Sequence, residues 1–241
     1  LEPGHFLELA MQEGAWALTR VQELPEPVLS PPQSEMVRGP YSAMLSALRE
    51  DGRLQHLPVD ADGTLIVSVP FCGRFQEYCL LGGFVADHCL TLPGVRSVRI
   101  LATDALDSYY KDWAVAERWF RKFHPRIELH TLVRDLAQQP LPDAGLVVGV
   151  HPEVTHGGLW FPIMGSVVRS GRMGLCVFAT FYEDEMQTLR NMVDMYAASP
   201  ADARVLENPY YSKPQPGDGS EPRPSQRLRH LMLLSQAAGG G

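Results

Sequence analysis

The protein has 241 residues, 45% of them apolar, and this length is sufficient for one large hydrophobic core. Its formal net charge of −7 at pH 7 disfavours a surface dedicated to gripping the phosphate backbone of a nucleic acid. Because no apolar run reaches the roughly 20 residues needed to span a bilayer, we expect a soluble or at most peripheral protein.

The first 41 residues are predicted to form an N-terminal helix followed by a proline-rich connector. Residues 6–23 place apolar side chains near helical spacing, although Gly14 is unfavourable there. Residues 42–53 predict a second helix, with Met44, Leu45 and Leu48 on one face, and open the main domain, which we assign to residues 42–211. The connector between the two helices is stiffened by its prolines, Pro25, Pro27, Pro31 and Pro32.

Residues 64–78 predict a buried strand that ends in a tight turn and continues into a helix. The strand is rich in apolar and β-branched residues, and Pro70 prevents its ladder from continuing. In the turn that follows, Gly73 lets another group approach the backbone closely. Ligands of open α/β sheets bind just outside the carboxyl ends of the strands, where helix N-terminal N–H groups point outward. This turn is therefore the candidate site.

Strands and helices alternate along the rest of the chain. Helices are predicted at residues 75–92, 108–123 and 183–198. Gly82 and Gly83 are expected to interrupt the first of these helices, and Ser108 to cap the second. Strands are predicted at residues 95–103, 127–133, 145–150 and 174–181, and residues 155–169 must cross back between the last two. This alternation predicts the α/β class, with a doubly wound, mostly parallel sheet and helices on both faces.

Polar side chains follow three of these strands. Asp104 closes the second strand, Asp135 follows the third, and His151 and Glu153 follow the fourth. A carboxylate at a strand end is a good acceptor for paired hydroxyl groups. Histidine titrates near neutrality, so His151 and Glu153 are candidates for deprotonating or orienting a substrate. The alternative for these two residues is a polar loop without a catalytic role.

In order and spacing, residues 42–211 resemble a class I S-adenosylmethionine-dependent methyltransferase. The resemblance rests on the turn Val67-Ser-Val-Pro-Phe-Cys-Gly73, the two acids at the strand ends, and the strand Leu146-Val-Val-Gly-Val-His-Pro-Glu153. It implies a Rossmann-like fold and S-adenosylmethionine as cofactor. It would also assign these roles: Phe71, Cys72 and Gly73 beside the methionine end, Asp104 with Ala105 at the ribose, Asp135 and Leu136 at the adenine, and Val150 with His151 on the sulfonium side.

The turn departs from the patterns of nucleotide-binding families. It contains only Gly73, whereas the usual methyltransferase turn has two or three glycines after an acid, and here Ser68 or Val69 occupies the place of that acid. The missing G-x-G-x-x-G fingerprint disfavours a dinucleotide-dependent oxidoreductase. Two hypotheses remain: a methyltransferase with an unidentified acceptor, and a methyltransferase-like structural subunit that has lost catalysis within a larger assembly.

Neither the histidines nor the cysteines suggest a metal site. His151 and His156 are five residues apart, Pro152 breaks the helix that such a site needs, and no third ligand is evident. The cysteines are not in C-x-x-C pairs, which predicts reduced thiols and an intracellular protein: Cys72, Cys79, Cys89 and Cys176. A sequence that starts with Leu1 is compatible with a removed leader, and this leaves an organellar location open.

The C-terminal residues 212–241 are predicted to be an extended tail. Residues 212–226 have the composition of a disordered linker, and Asn208-Pro-Tyr-Tyr211 before them predicts a turn into a late strand. Leu228, Leu231 and Leu234 recur three apart, which predicts a narrow apolar stripe suited to a groove on another protein. We therefore expect protein partners that bind the N-terminal segment and the C-terminal tail.

Overall fold

The computed structural model describes residues 5–12, 15–24, 26–136, 139, 141–150, 173–196, 201–212 and 228–236. The predicted crossover at 155–169 lies outside these ranges, as do the candidate residues His151 and Glu153 and all of the linker predicted at 212–226 except Ser212. Within the described ranges, no helix has the length and hydropathy required to cross a membrane.

The N-terminal segment is a β-hairpin, so the helix predicted at residues 6–23 is wrong. Strand β1 (His5–Gln12) pairs antiparallel with β2 (Ala15–Glu23), and the register shifts between Glu8 and Leu9. The sequence contains a period of two as well as a helical one, because the large apolar residues Leu7, Leu9 and Met11 alternate with polar or small residues at 8, 10 and 12. The pairing of the two strands decides between the two patterns.

Helix α1 (Glu35–Glu50) replaces the helix predicted at residues 42–53. It starts earlier than expected and contains Pro40, so the boundary drawn between residues 41 and 42 falls inside it. A short 3₁₀ turn, Arg53–His56, follows. The predicted apolar face is confirmed, since Met44, Leu45 and Leu48 are all buried.

The main sheet has seven described strands in the order β5-β4-β3-β6-β7-β9-β8. Strand β9 is antiparallel to both of its neighbours, and the other pairs are parallel. The fold class predicted from the sequence is confirmed by this topology. The strands are β3 (Thr64–Pro70), β4 (Ser97–Asp104), β5 (Ile127–Val133), β6 (Ala144–Val150), β7 (Met173–Thr180), β8 (Ala201–Glu207) and β9 (His230–Gln236).

Helices cover both faces of the sheet and form two apolar clusters. On one face, side chains of α1, α2 (Tyr78–Phe84) and α3 (Tyr110–Phe123) pack on β3, β4 and β6. On the other face, α4 (Glu183–Tyr196) packs on alternate residues of β6, β7 and β9. Buried residues of β7 and β9 thus contribute alternately to the two clusters, as the pleat requires.

Two details of the helices differ from the sequence prediction. Ser108 does not cap α3, because Tyr109 occupies the N-cap position and no side chain caps it. Gly82 does not interrupt α2, which continues into a π-helical turn at Val85–Cys89. A Cβ atom at Gly82 would lie 2.5 Å from the Trp119 ring. The glycine therefore lets α2 and α3 approach each other closely.

The C-terminal segment belongs to the main sheet. Strand β9 inserts between β7 and β8, and Leu228, Leu231 and Leu234 are each at most 1% exposed. The expectation that these side chains form a stripe for another protein is wrong, since they are buried in their own domain. The domain boundary drawn after residue 211 likewise separates β9 from the sheet to which it belongs. Contacts of residues 213–227 with a partner remain a prediction.

Strand β8 was not predicted, and Asn208 fixes its end. The buried Asn208 side chain donates from Nδ2 to the carbonyls of Pro40 and Leu228, each at 2.9 Å, and its Oδ1 accepts from the Tyr210 amide. The short helix α5 (Pro209–Ser212) follows this junction. The side chain therefore ties α1 to the start of the last strand. Residues 208–211 were predicted to turn into a late strand, but they lead from β8 into the helix α5.

Candidate functional site

The order of the strands reverses between β3 and β6, which are parallel neighbours paired at Val67 and Leu146. Successive connections leave this point in opposite directions, so a crevice opens at the carboxyl ends of the two strands. The turn singled out from the sequence lies at the end of β3, on one side of this crevice.

The turn after β3 has an unusual backbone. Phe71 and Phe75 adopt positive φ angles of 59° and 52°, values that are uncommon for bulky residues, and Gly73 between them has a φ of 50°. Hydrogen bonds hold the conformation: the Cys72 amide donates to Thr103 O at 3.1 Å, and Trp113 Nε1 donates to Gly73 O at 2.7 Å. Neighbouring elements thus impose this strained turn, a condition that is common at functional sites.

Asp104, at the end of β4, binds the same turn. Its Oδ2 accepts from the Gly73 amide at 2.9 Å, and its Oδ1 accepts from the Leu106 amide at 3.0 Å. Its backbone carbonyl accepts from the Arg134 amide at 2.7 Å. The carboxylate predicted to bind ribose hydroxyls therefore already joins the ends of β3 and β4, with one acceptor position used on each oxygen.

A cavity of about 240 Å³ lies at the crevice. An added Cβ at Gly73 would meet no atom within 4 Å, so the space above this residue is open. Arg74 points away from the core, with a side chain that is 64% exposed and 3.8 Å from Asp112. The lining residues come from α1, the turn and the end of β6: Tyr41, Val69, Pro70, Phe71, Cys72, Gly73, Arg74, Phe75, Gln76, Glu77 and Val150.

The structure brings only part of the predicted site together. Phe71, Cys72, Gly73 and Val150 line the cavity, whereas Asp104 contacts the turn from the side of β4. Leu136, predicted at the adenine, is 4% exposed and packs in the cluster beneath α4. Neither Ala105 nor Asp135 lines the cavity. The roles assigned to these residues remain predictions, as do those of His151 and Glu153.

The lining residues that were not predicted as site residues include Tyr41 on α1, and Gln76 and Glu77 just before α2. No local pattern marks Tyr41 as part of a site, because its position depends on how α1 packs against the turn. Glu77 carries a recognisable signal, since it is a charged residue directly before the apolar run Tyr78–Phe84 and is only 8% exposed. Such a buried carboxylate indicates either an internal pair or a ligand.

The surroundings of Cys72, the cysteine at the cavity, do not favour a nucleophilic thiolate. All four cysteines are free, as predicted. Burial, and then the charge of Asp104, raise the pKa of the Cys72 thiol, so the thiol stays protonated at neutral pH. Burial also raises the pKa of Cys89, to about 12. In the described ranges, no three residues of the His, Cys, Asp and Glu types are grouped so that they could hold a metal ion.

Two buried hydroxyls near the site have no hydrogen-bond partner within the described part of the chain: Ser68 Oγ on β3 and Thr103 Oγ1 on β4. Both residues are 0% exposed. Since an unsatisfied buried hydroxyl costs about 1–3 kcal/mol, Ser68→Ala and Thr103→Val are expected to leave the free energy of unfolding unchanged or raise it. Urea denaturation of each variant measures this quantity.

Thr180→Val is the matched control for these two variants. Thr180 is 1% exposed, but its hydroxyl donates to Tyr182 O at 3.1 Å. Removing this hydroxyl is therefore expected to lower the free energy of unfolding by about 1 kcal/mol. If Thr103→Val destabilised the protein as much as Thr180→Val does, the Thr103 hydroxyl would have to bind a partner such as an ordered water.

No family model and no curated protein matches the sequence. Solved structures with a similar fold include precorrin-6y C5,15-methyltransferase from Geobacter metallireducens GS-15, with a TM-score of 0.45, 14% identity, and coverage of 81% of this chain and 87% of that chain. Magnesium protoporphyrin IX methyltransferase from Synechocystis PCC 6803, with bound SAH, has a TM-score of 0.46, 10% identity, and coverage of 86% of this chain and 90% of that chain.

A third structure, human methyltransferase 10 domain containing protein, has a TM-score of 0.47, 14% identity, and coverage of 86% of this chain and 83% of that chain. At these identities and TM-scores, the likenesses carry nothing about ligand or activity. The doubly wound sheet of the chain itself confirms the Rossmann-like fold that the resemblance to class I methyltransferases predicts.

Proposed function

We propose that the chain binds S-adenosylmethionine at the β3–β6 crevice and transfers its methyl group to an acceptor of unidentified class. The observation that carries this proposal is the cavity at the point where the strand order reverses, bordered by the turn after β3 and the end of β6. Ligands of doubly wound sheets bind at this position, and the strained turn is held open there by contacts from β4 and α3.

The residues present fit such a ligand in part. The cavity of about 240 Å³ is smaller than the roughly 300–1,000 Å³ typical of ligand pockets, so it would take one end of the molecule. The rest would lie over the open surface above Gly73, toward Asp104. A carboxylate has about four acceptor positions, so Asp104 can accept from ribose hydroxyls in addition to the two amides.

When bound, S-adenosylmethionine supplies a methyl group activated by the sulfonium charge. The contribution of the chain is to hold the ligand between the turn and Val150 and to orient the acceptor in the same crevice. If the acceptor must lose a proton, His151 and Glu153 are the candidates from the sequence, because they directly follow β6.

Isothermal titration calorimetry with S-adenosylmethionine and S-adenosylhomocysteine tests the proposal. We expect saturable binding to the intact chain. We further expect Asp104→Asn to weaken binding by about 2–3 kcal/mol, because the variant keeps the size of the side chain but loses a charge-assisted acceptor. Asp107→Asn is the control, since Asp107 is an exposed acid on the same loop.

The absence of saturable binding at millimolar concentrations of either ligand would contradict the proposal. Equal affinities of the Asp104→Asn and Asp107→Asn proteins would contradict the role of Asp104. A thermal melt of each variant separates a loss of binding from a loss of folding, because Asp104 also holds the turn.

A second candidate function is a methyltransferase-like subunit without catalysis. The observation that favours it is the use of both Asp104 oxygens to close the chain's own turn, together with the small cavity. In that case residues 1–41 and the tail outside β9 would bind neighbouring chains of an assembly. A folded protein that binds neither adenosyl ligand would favour this candidate over the enzyme.

A further inference from the structure

Strand β5 forms one edge of the main sheet, and within the described ranges no strand lies on its outer side. Val98 N on β4 donates to Arg126 O at 3.0 Å, so in this parallel pair the even-numbered residues of β5 bond to β4. The backbone amides and carbonyls of Leu129 and Thr131 therefore face outward, where the described part of the chain offers them no partner. Such an open ladder can bind a further strand.

A groove with a cavity volume of about 630 Å³ follows the same edge, between β5 and α3. Residues 127–131 line it from β5, and Glu117 and Arg121 line it from α3. Glu117 accepts from the Thr131 hydroxyl, so it lies toward the carboxyl end of the strand. Because α3 crosses back between two parallel strands, Arg121, one helical turn further on, lies toward the start of β5.

The opposite side of β5 also has an acid and a base. Glu128 and His130 are both exposed, and residues two apart in a strand lie on the same side. Glu128 Oε2 is 3.1 Å from His130 Nε2 and accepts from Arg99 Nε at 3.2 Å. Hydrogen bonds from His130 and then from Arg99 lower the pKa of Glu128, so this carboxylate is charged at neutral pH. On both sides of the strand, groups of opposite type thus flank Leu129.

We propose that β5 is a dimerisation edge that pairs antiparallel with β5 of a second copy of this chain, about a two-fold axis at Leu129. Leu129 would exchange hydrogen bonds with its own counterpart, and Thr131 N would donate to the partner's Ile127 O. The new ladder would end there, because Ile127 N already donates to His124 O at 2.8 Å. This inference does not depend on the proposed function.

The charges select this register. With the axis at Leu129, Glu128 lies opposite the partner's His130, and Glu117 of α3 faces the partner's Arg121. A two-fold interface requires such self-complementarity, because each residue meets in the partner the residue that meets it. An axis at Thr131 would instead bring two Glu117 carboxylates together, and an axis at His130 would place two imidazoles opposite each other. Like charges in opposed positions destabilise a strand pair.

Sedimentation velocity of the full chain over a range of concentrations tests the proposal, and we expect a reversible dimer. Thr131→Pro removes an outward amide without altering the bonds to β4, and proline is tolerated at such edge positions. Because the two-fold axis repeats the lost bond, we expect the dimer to weaken about tenfold. Thr131→Val is the matched control, since it loses the same hydroxyl but keeps the amide. Circular dichroism of both variants checks that they fold.

A charge exchange tests the register and keeps the proposal falsifiable if Thr131→Pro does not fold. Arg121→Glu and Glu117→Arg are each expected to weaken the dimer about fivefold, whereas the double variant should restore it, because the two charges then meet in exchanged positions. Arg49→Glu is the control, since it makes the same change of charge at an exposed position on α1 that does not line the groove.

A chain that stays monomeric at all concentrations would overturn the proposal. So would a dimer that both Thr131→Pro and Arg121→Glu leave as tight as their controls do, because its interface would then lie elsewhere. A double variant that dimerises as weakly as the two single variants would overturn the axis at Leu129.

Discussion

A chain that ends at residue 227 is expected to lose its cooperative unfolding transition. Truncation removes β9 from between β7 and β8 and leaves β8 without a partner. It also removes five side chains that are at most 1% exposed: Leu228, Leu231, Met232, Leu233 and Leu234. Each buried side chain contributes about 1.5–3 kcal/mol to the free energy of unfolding, so the truncation removes about 8–15 kcal/mol of stability. Since domains are stable by only about 5–15 kcal/mol, the truncated protein should not fold.

Thermal melting followed by circular dichroism measures this effect. A point variant supports the truncation, because Leu233→Asp places a carboxylate where Leu233 pairs with Val177 and Arg204. Val205→Asp is its control, since Val205 lies on the adjacent strand β8 and is 45% exposed. A truncated chain that melts cooperatively near the temperature of the full chain would show that β9 does not belong to the core.

Val67→Asp is expected to cause the second-largest loss of stability, after the truncation at residue 227. Val67 is 0% exposed and pairs with Ile100 on one side and Leu146 on the other, at the centre of the sheet. An aspartate there would bury a carboxylate without a partner or force it to take up a proton, at a cost of several kcal/mol. We expect a protein that is unfolded or only marginally folded at 25 °C.

Val133→Asp is the control for this variant. Val133 has the same residue type, lies at the carboxyl end of the edge strand β5 and is 56% exposed, so its replacement should change the free energy of unfolding by less than about 0.5 kcal/mol. Urea denaturation of the two variants gives both free energies. A Val67→Asp protein as stable as Val133→Asp would mean that β3 does not lie between β4 and β6 at the centre of the sheet.

The alternation of strands and helices from Thr64 to Tyr196 could be predicted from local sequence patterns. Strand β3 starts after the turn at Gly63, whose φ is 84°, and ends at Pro70 as the residue types require. Helix α3 also has an apolar stripe at the helical period, and its residues Trp113, Ala116 and Trp119 are all buried. In these segments the apolar residues fit one period, that of a strand or that of a helix, better than the other. The side chains that are buried are therefore those that this period predicts.

The two ends of the chain could not be predicted in this way. Residues 6–23 are compatible with a period of 3.6 and with a period of two, and only the pairing of β1 with β2 selects the second. In the last segment, apolar residues three apart suggested a helical stripe. Strand β9 forms because β7 and β8 offer it two ladders and a buried site on both faces.

For the site, the sequence by itself determined the turn after β3 and the acid at the end of β4, because strand ends and turn residues are local features. Only the tertiary structure decided that Asp104 binds the Gly73 amide, and that Tyr41 of α1 and Glu77 line the same cavity. Positions of side chains relative to one another across the fold depend on how helices and strands far apart in the chain pack together. No local pattern contains that information, since the contacts that set it are made only when the sheet closes around its two cores.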